Sequence, residues 1–248
     1  MKLSSDVHLV GGGNLGFNIS DPGDCHIYVV DGGDELAIID SGVGAGVEQV
    51  LDNIRADGLK VDRIGHLVVT HYHADHAGGL ARLRRLTGAK TYASKGCASA
   101  IAEGDEEAIS LAHAKRGGFY PMDYKFDACP IDVAFDEDEE IRVGDLRLIP
   151  ISTPGHCAGH SSFLVQGRDR TYLFSGDSLF WGGTVLLQNI PDCSLQDTVA
   201  SVEKLASHDF DALLPGHLTI SMRDGKRHAV AAAATVRSLG IPKQAVQI

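Results

Sequence analysis

The segment Thr70-His71-Tyr72-His73-Ala74-Asp75-His76-Ala77-Gly78-Gly79 sets three histidines and an aspartate within six residues. It follows directly on the apolar run His66-Leu-Val-Val-Thr70, which reads as a short buried strand. Imidazole and carboxylate groups are ligands for zinc or iron. Side chains at i and i+2 do not share a helix face, so a helix cannot aim all four at one point. The segment therefore reads as a turn leaving a strand, from which His71, His73, Asp75 and His76 converge. Gly78 and Gly79 allow a tight entry into a helix expected over residues 79–86.

Four residues in one turn do not complete two metal sites, and three further segments supply candidates. Thr153-Pro-Gly-His156 follows the apolar run 146–151, Phe174-Ser-Gly-Asp177 follows 171–174, and Leu214-Pro-Gly-His217 follows 212–214. Each is a strand, then turn-forming residues, then a potential ligand. Any one alone would read as an ordinary loop histidine or aspartate. Their repetition is what a metal site at one edge of a β sandwich requires.

The remaining pattern interleaves strands and helices. Strands are expected at 25–30 and 35–40 around the turn Asp31-Gly-Gly-Asp34. Val47, Val50, Leu51 and Ile54 recur at helical spacing, and Gly58 stops that helix. A strand at 90–93 precedes an Ala- and Glu-rich stretch, 95–130, with helical character over 98–115. Strands follow at 131–135, 140–143, 146–151, 162–165 and 171–174, then a helix at 195–206, a strand at 212–214 and a helix at 228–239. The acidic run Asp136-Glu-Asp-Glu-Glu140 reads as a solvated hairpin turn. The pattern predicts an α/β fold, an αββα sandwich of two packed mixed β-sheets with outer helices.

Acids outnumber bases 33 to 22 among 248 residues, a formal charge of −11, which argues against a nucleic-acid partner. No apolar run reaches the roughly 18–20 residues of a membrane span, and the N-terminus lacks the apolar core of a secretion signal. Five cysteines, an odd number without a CxxC pair, predict buried free thiols in a reducing, cytoplasmic setting. Gly11-Gly-Gly13-Asn-Leu-Gly16 matches GxGxxG by letter. It leads into more β pattern rather than a helix, so it reads as a turn and not as a phosphate cradle.

The ordered set Ile38-Ile-Asp40-Ser-Gly, HxHxDH, TPGH, SGD and PGH resembles that of metallo-β-lactamase-fold hydrolases. The resemblance implies a single domain over 1–248, with a helical insertion at about 95–130 that the motifs do not cover. It implies that His71, His73 and His156 bind one metal, that Asp75, His76 and His217 bind a second, and that Asp177 bridges both. Asp40 and His160 would lie just behind the ligands. The ions would be two divalent metals, zinc in the first place, with iron or manganese as alternatives. The bridging Asp177 is similar to that of binuclear thioesterases and lactonases of the glyoxalase II type, whereas true β-lactamases of the fold usually carry cysteine or serine there.

The function implied is hydrolysis of a small ester, thioester or lactone. A metal-bridging water would be deprotonated near neutral pH, with Asp75 both ligand and catalytic acceptor orienting the nucleophile. A mono-iron persulfide dioxygenase and a β-lactam hydrolase are the alternatives. The partner expected is a small-molecule substrate, with neither nucleic acid nor membrane, and a homodimer is left open. The glyoxalase II type carries a C-terminal helical domain with basic residues for glutathione. Arg223, Lys226 and Arg227 are a weak substitute, so glutathione thioesters rank low. Phe119, Tyr120, Tyr124, Phe180 and Trp181 are candidates for an apolar wall, with Trp181 foremost.

Overall fold

The computed structural model describes residues 1–246. The chain forms two compact units, residues 1–135 with 143–145, and residues 136–142 with 146 onward. The first is built on a six-stranded mixed sheet in the order β1 (Val7–Gly11), β2 (Ile27–Asp31), β3 (Leu36–Ile39), β4 (Ile64–Val68), β5 (Lys90–Ser94) and β6 (Val133–Phe135). β1, β2 and β3 pair antiparallel, β1 with β2 across the long link 12–26 and β2 with β3 across the short link 32–35, and β3 through β6 pair parallel. Parallel neighbours need a crossover. Here α1 (Val47–Ala56) joins β3 to β4, and α2 (Ala74–Ala77) with α3 (Leu80–Thr87) joins β4 to β5. β3 is buried throughout, as its unbroken apolar sequence requires of a strand covered on both faces. Val47, Val50, Leu51 and Ile54 form the buried stripe of α1, as their spacing predicts.

The second unit carries a five-stranded mixed sheet in the order β11 (Ala212–Pro215), β10 (Thr171–Gly176), β9 (Ser161–Gln166), β8 (Leu146–Ser152), β7 (Ile141–Val143). β9 is antiparallel to both β8 and β10, and β11 is parallel to β10. Thus β8, β10 and β11 run the same way, and the residues that follow them gather at one sheet edge. α6 (Leu195–Ser207) starts on Ser194, whose hydroxyl accepts the Asp197 N–H at 3.2 Å. Val202 and Leu205 of α6 and Ala229, Ala232 and Ala233 of α7 (Lys226–Arg237) pack with Ile151, Leu173 and Leu213 in one core. The alanines let the helix backbones approach closely.

Three expectations are corrected. The helical stretch 98–115 is two helices, α4 (Lys95–Glu103) and α5 (Leu111–Arg116), because Gly104 turns left-handed at φ 65° and Asp105 caps the N–H groups of Glu107 and Ala108. The acidic run 136–140 is no hairpin turn: β6 pairs with β5 while β7 lies beside β8. The HxHxDH segment is not one continuous turn, since Asp75 and His76 lie on the single-turn helix α2, N-capped by His73. Among the described residues, no helix is long and apolar enough to cross a membrane.

Candidate functional site

In the first unit, every candidate ligand follows the end of β4. Asp40, one residue past the neighbouring strand β3, organises them. Its carboxylate accepts the Thr70 N–H at 2.7 Å, the Thr70 hydroxyl at 2.9 Å and the His76 Nδ1–H at 2.8 Å. An ionised carboxylate only accepts, so His76 must be protonated at Nδ1 and carry its lone pair on Nε2. Thr70 spends its one hydroxyl proton on Asp40. Its oxygen, 3.0 Å from His71 Nδ1, therefore accepts from that nitrogen, and His71 too presents a lone pair at Nε2. One carboxylate thus sets two tautomers, one directly and one through a threonine, which is the outer support that metal-binding imidazoles carry. His71 Nε2 lies 3.1 Å from His73 Nδ1, and His76 Nε2 lies 3.6 Å from Asp75 Oδ2.

Backbone contacts hold this turn against the end of β3. Ser41 N–H and its hydroxyl both bond the His76 carbonyl at 2.7 Å, and Gly79 N–H bonds the Gly42 carbonyl at 2.8 Å. Gly79 is needed for proximity, not for an unusual φ: a Cβ there would stand 2.1 Å from the Ser41 carbonyl. The insertion reaches the same segment. The Tyr120 hydroxyl donates to Asp75 Oδ1 at 3.2 Å, and burial, with the Asp75 charge next in weight, holds that phenol well above its ordinary pKa and so protonated.

In the second unit, His156 follows β8, Asp177 follows β10 and His217 follows β11. Asp177 Oδ2 is 3.6 Å from Nε2 of both His156 and His217. The Leu186 carbonyl, 3.1 Å from His156 Nδ1, fixes that ring as the Nδ1–H tautomer. His160 holds the Asp177 backbone, its Nε2 accepting the Asp177 N–H at 3.0 Å while its Nδ1 meets the Thr153 hydroxyl at 2.9 Å. Thr153 continues to Ser162 at 2.9 Å.

These distances fit metal ligation. A tetrahedral ion with bonds of about 2.0–2.1 Å keeps its ligand atoms about 3.4 Å apart. The 3.1 and 3.6 Å separations bracket that edge, and the longer ones exceed a hydrogen bond. The donors are imidazole and carboxylate throughout, with buried polar partners behind them.

The aromatic wall divides. Tyr120 and Tyr124 approach the first-unit cluster, Tyr124 through its hydroxyl on the Val43 carbonyl at 3.0 Å. Phe180 is buried, whereas Trp181 is 50% exposed with its ring 5.6 Å from that of His228. Sequence reasoning missed the place of Cys25. Its thiol, Asp40 and His76 offer ligand atoms within 4.8 Å of one another, and its N–H donates to the Asp75 carbonyl at 3.3 Å. Burial raises the thiol pKa despite His76, so Cys25 stays protonated. It stands 51 residues before His76, with no motif to link the two. All five cysteines are free thiols, with Cys193 alone only half-buried.

The sequence model of the metallo-beta-lactamase superfamily matches residues 20–217. An acyl-coenzyme A thioesterase, MBLAC2, of Bos taurus is 28% identical over 212 residues, which are 77% of this chain and 72% of that protein. A hydroxyacylglutathione hydrolase of Methylococcus capsulatus is 31% identical over 159 residues, 63% of this chain but 48% of that protein. An atrochrysone carboxyl ACP thioesterase of Aspergillus fumigatus is 27% identical over 77% of this chain and 49% of its own length. Among solved structures, a metallo-β-lactamase of Cronobacter sakazakii superposes with a TM-score of 0.74 at 22% identity, covering 96% of each chain. That likeness establishes the expected α/β sandwich fold. On the family match over most of its length, the chain belongs to the metallo-β-lactamase superfamily.

Proposed function

We propose that the chain is a metal-dependent thioester hydrolase whose His71, His73, Asp75, His76, His156, Asp177 and His217 hold two divalent ions, zinc by preference. The observation that carries this reading is the Asp177 oxygen set 3.6 Å from two imidazole nitrogens, the spacing of a carboxylate sharing ions with its neighbours. The tautomers fixed by Asp40 and by the Leu186 carbonyl support it, since each turns Nε2 outward as the ligand atom. The relatives' names share one bond type: acyl-coenzyme A, hydroxyacylglutathione and an acyl-carrier thioester are all thioesters.

Ions bound there supply a water acidified to a pKa of about 7 and a Lewis acid for the carbonyl. The protein's own groups do the rest. Asp75 accepts a hydrogen of the attacking water and so aims it. The Tyr120 hydroxyl holds the other carboxylate oxygen and keeps the plane of that carboxylate set. Asp40 and Thr70 keep His71 and His76 from turning, and His160 pins the Asp177 backbone. Preorganisation of this kind removes the cost of ordering the groups at the moment of reaction.

The test is elemental mass spectrometry of protein purified without chelators or added metals, followed by a panel of thioesters and lactones. Two divalent ions per chain with thioester cleavage are expected. One iron per chain, with oxygen consumed on persulfide substrates, would overturn the proposal.

A further inference from the structure

The single tryptophan of the chain sits on a turn tied to one imidazole. Trp181, Gly182 and Gly183 lie between the candidate ligand Asp177 and Leu186, whose carbonyl fixes the His156 tautomer. Gly182 and Gly183 both take positive φ, 78° and 76°, and a Cβ on Gly183 would stand 2.8 Å from the His228 carbonyl of α7. The turn is thus glycine by necessity and presses on the helix. The Gly182 N–H donates to His228 Nδ1 at 2.9 Å. Nδ1 therefore carries the lone pair, and the neutral ring has its proton on Nε2, which is buried without a hydrogen-bond partner. The Trp181 ring stands against the buried His228 ring, with centroids 5.6 Å apart.

A second proton has no place in this arrangement. On Nδ1 it would face the Gly182 N–H, donor against donor, and the buried imidazolium would hold two N–H groups with no acceptor. The Trp181 ring attracts a cation, a weaker effect than leaving two buried donors unpaired. Burial, with the Arg227 charge next, holds the His228 pKa below its ordinary value. The elements packed on α7 bring apolar side chains to it, Leu179, Val202, Leu205 and Leu213. Charges at the helix ends are paired, Lys226 with Asp209 and Arg237 with Glu203, and Asp224 ahead of the helix is exposed.

We infer that His228 is a positioning residue built as a proton-released latch: neutral, it holds the Trp181 turn and through it the Leu186 carbonyl on His156, and protonated, it lets the turn lift. The effect on His156 rests on the function proposed above; the hold on the turn does not. Because the closed ring resists protonation, the latch is shut at neutral pH and opens as pH falls below the ordinary histidine value of about 6.5. Two glycines give the freed turn a wide choice of conformations, so the loss of that one hydrogen bond is felt.

The experiment follows Trp181 fluorescence and its quenching by acrylamide in the zinc-loaded full chain, from about pH 8 to about pH 5. In the wild type the quenching constant should rise about twofold below about pH 6.5, as a ring 50% exposed becomes fully exposed. His228→Asn places Oδ1 near the position of Nδ1, accepts the Gly182 N–H and has no proton to gain, so its quenching should stay flat. His228→Leu, with no acceptor, should read as open at every pH, and its Gly182 amide should exchange about two- to tenfold faster than in the wild type at neutral pH. Chelator competition at neutral pH should find zinc held about tenfold more weakly in His228→Leu, the low end for a lost outer partner, and as in the wild type in His228→Asn. No acid transition in the wild type, the same transition in His228→Asn, or wild-type zinc affinity in His228→Leu would overturn the latch. A transition abolished by His228→Asn, in a wild type that takes up no zinc, would uphold the hold on the turn and sink the metal reading instead.

Discussion

Asp40 sits at φ 63° just past β3 and sets two imidazoles with one carboxylate. The left-handed conformation suits Asp or Asn and strains most other residues. Asp40→Asn therefore keeps the backbone but replaces one accepting oxygen with a donor. That NH2 must stand either where Oδ1 takes the Thr70 N–H or where Oδ2 takes both the Thr70 hydroxyl and the His76 Nδ1–H, and all three already donate. His76 or His71 is then released from its tautomer. Loss of such an outer partner typically costs 10–100-fold in metal affinity. Competition against a chromophoric chelator should show a drop of about that size. A dissociation constant within twofold of wild type would show that Asp40 does not support the ligands. His160 acts differently, holding the Asp177 backbone through its hydrogen bonds to Asp177 and Thr153.

At the scale of elements, the site depends on how closely the end of β3 meets the start of α3. The contact of Gly79 with Ser41 leaves no room for a methyl group, although the φ of −85° would accept alanine. Gly79→Ala must push the segment 40–42 away from 76–79, and the expected loss is about 1–3 kcal/mol, as for other overpacked sites. Urea unfolding reads it directly. Gly65, inside β4, is the control, since a Cβ there meets nothing closer than 3.8 Å. Gly65→Ala should stay within about 0.5 kcal/mol of wild type. Equal midpoints for the two variants would refute the close-approach argument. The same elements explain the insertion. Gly104 and the Asp105 cap end α4, and the chain after α5 is then turned so that Tyr120 can reach Asp75.

For the molecule as a whole, bound ions are a stability term as well as a chemical one. A ligand that binds only the folded chain, present at 1,000 times its dissociation constant, adds about 4 kcal/mol. At about 2–4 °C per kcal/mol for a chain of this size, chelation should lower Tm by about 8–16 °C, and added zinc should restore it. Scanning calorimetry with and without chelator checks this. An unchanged Tm in protein whose metal was demonstrably removed would mean that the ligand clusters are built without help from the ions.

Much of this was legible along the chain, because the signals are local. Apolar runs and helical spacing mark the strands and α1, and each of Asp40, His156, Asp177 and His217 falls just past a strand, as strand-then-turn spelling predicts. The family could be read from the same strand-end motifs. What was not legible depends on contacts between residues far apart in sequence. The spacing of residues 98–115 allowed one helix, and only the glycine's left-handed turn divides it. Trp181 and Tyr120 were both candidates for the wall, and no spacing encodes that the Trp181 ring lies beside His228 or that Tyr120, 45 residues from Asp75, donates to its carboxylate. Cys25 lies beside Asp40 and His76 because its N–H meets the Asp75 carbonyl, and no spacing encodes that. The sequence by itself determined which side chains could ligate and which strands they follow. Only the tertiary structure decided which groups stand behind them, because parallel pairing of β3 with β4 brings Asp40 to Thr70 and His76 across a crossover of some thirty residues.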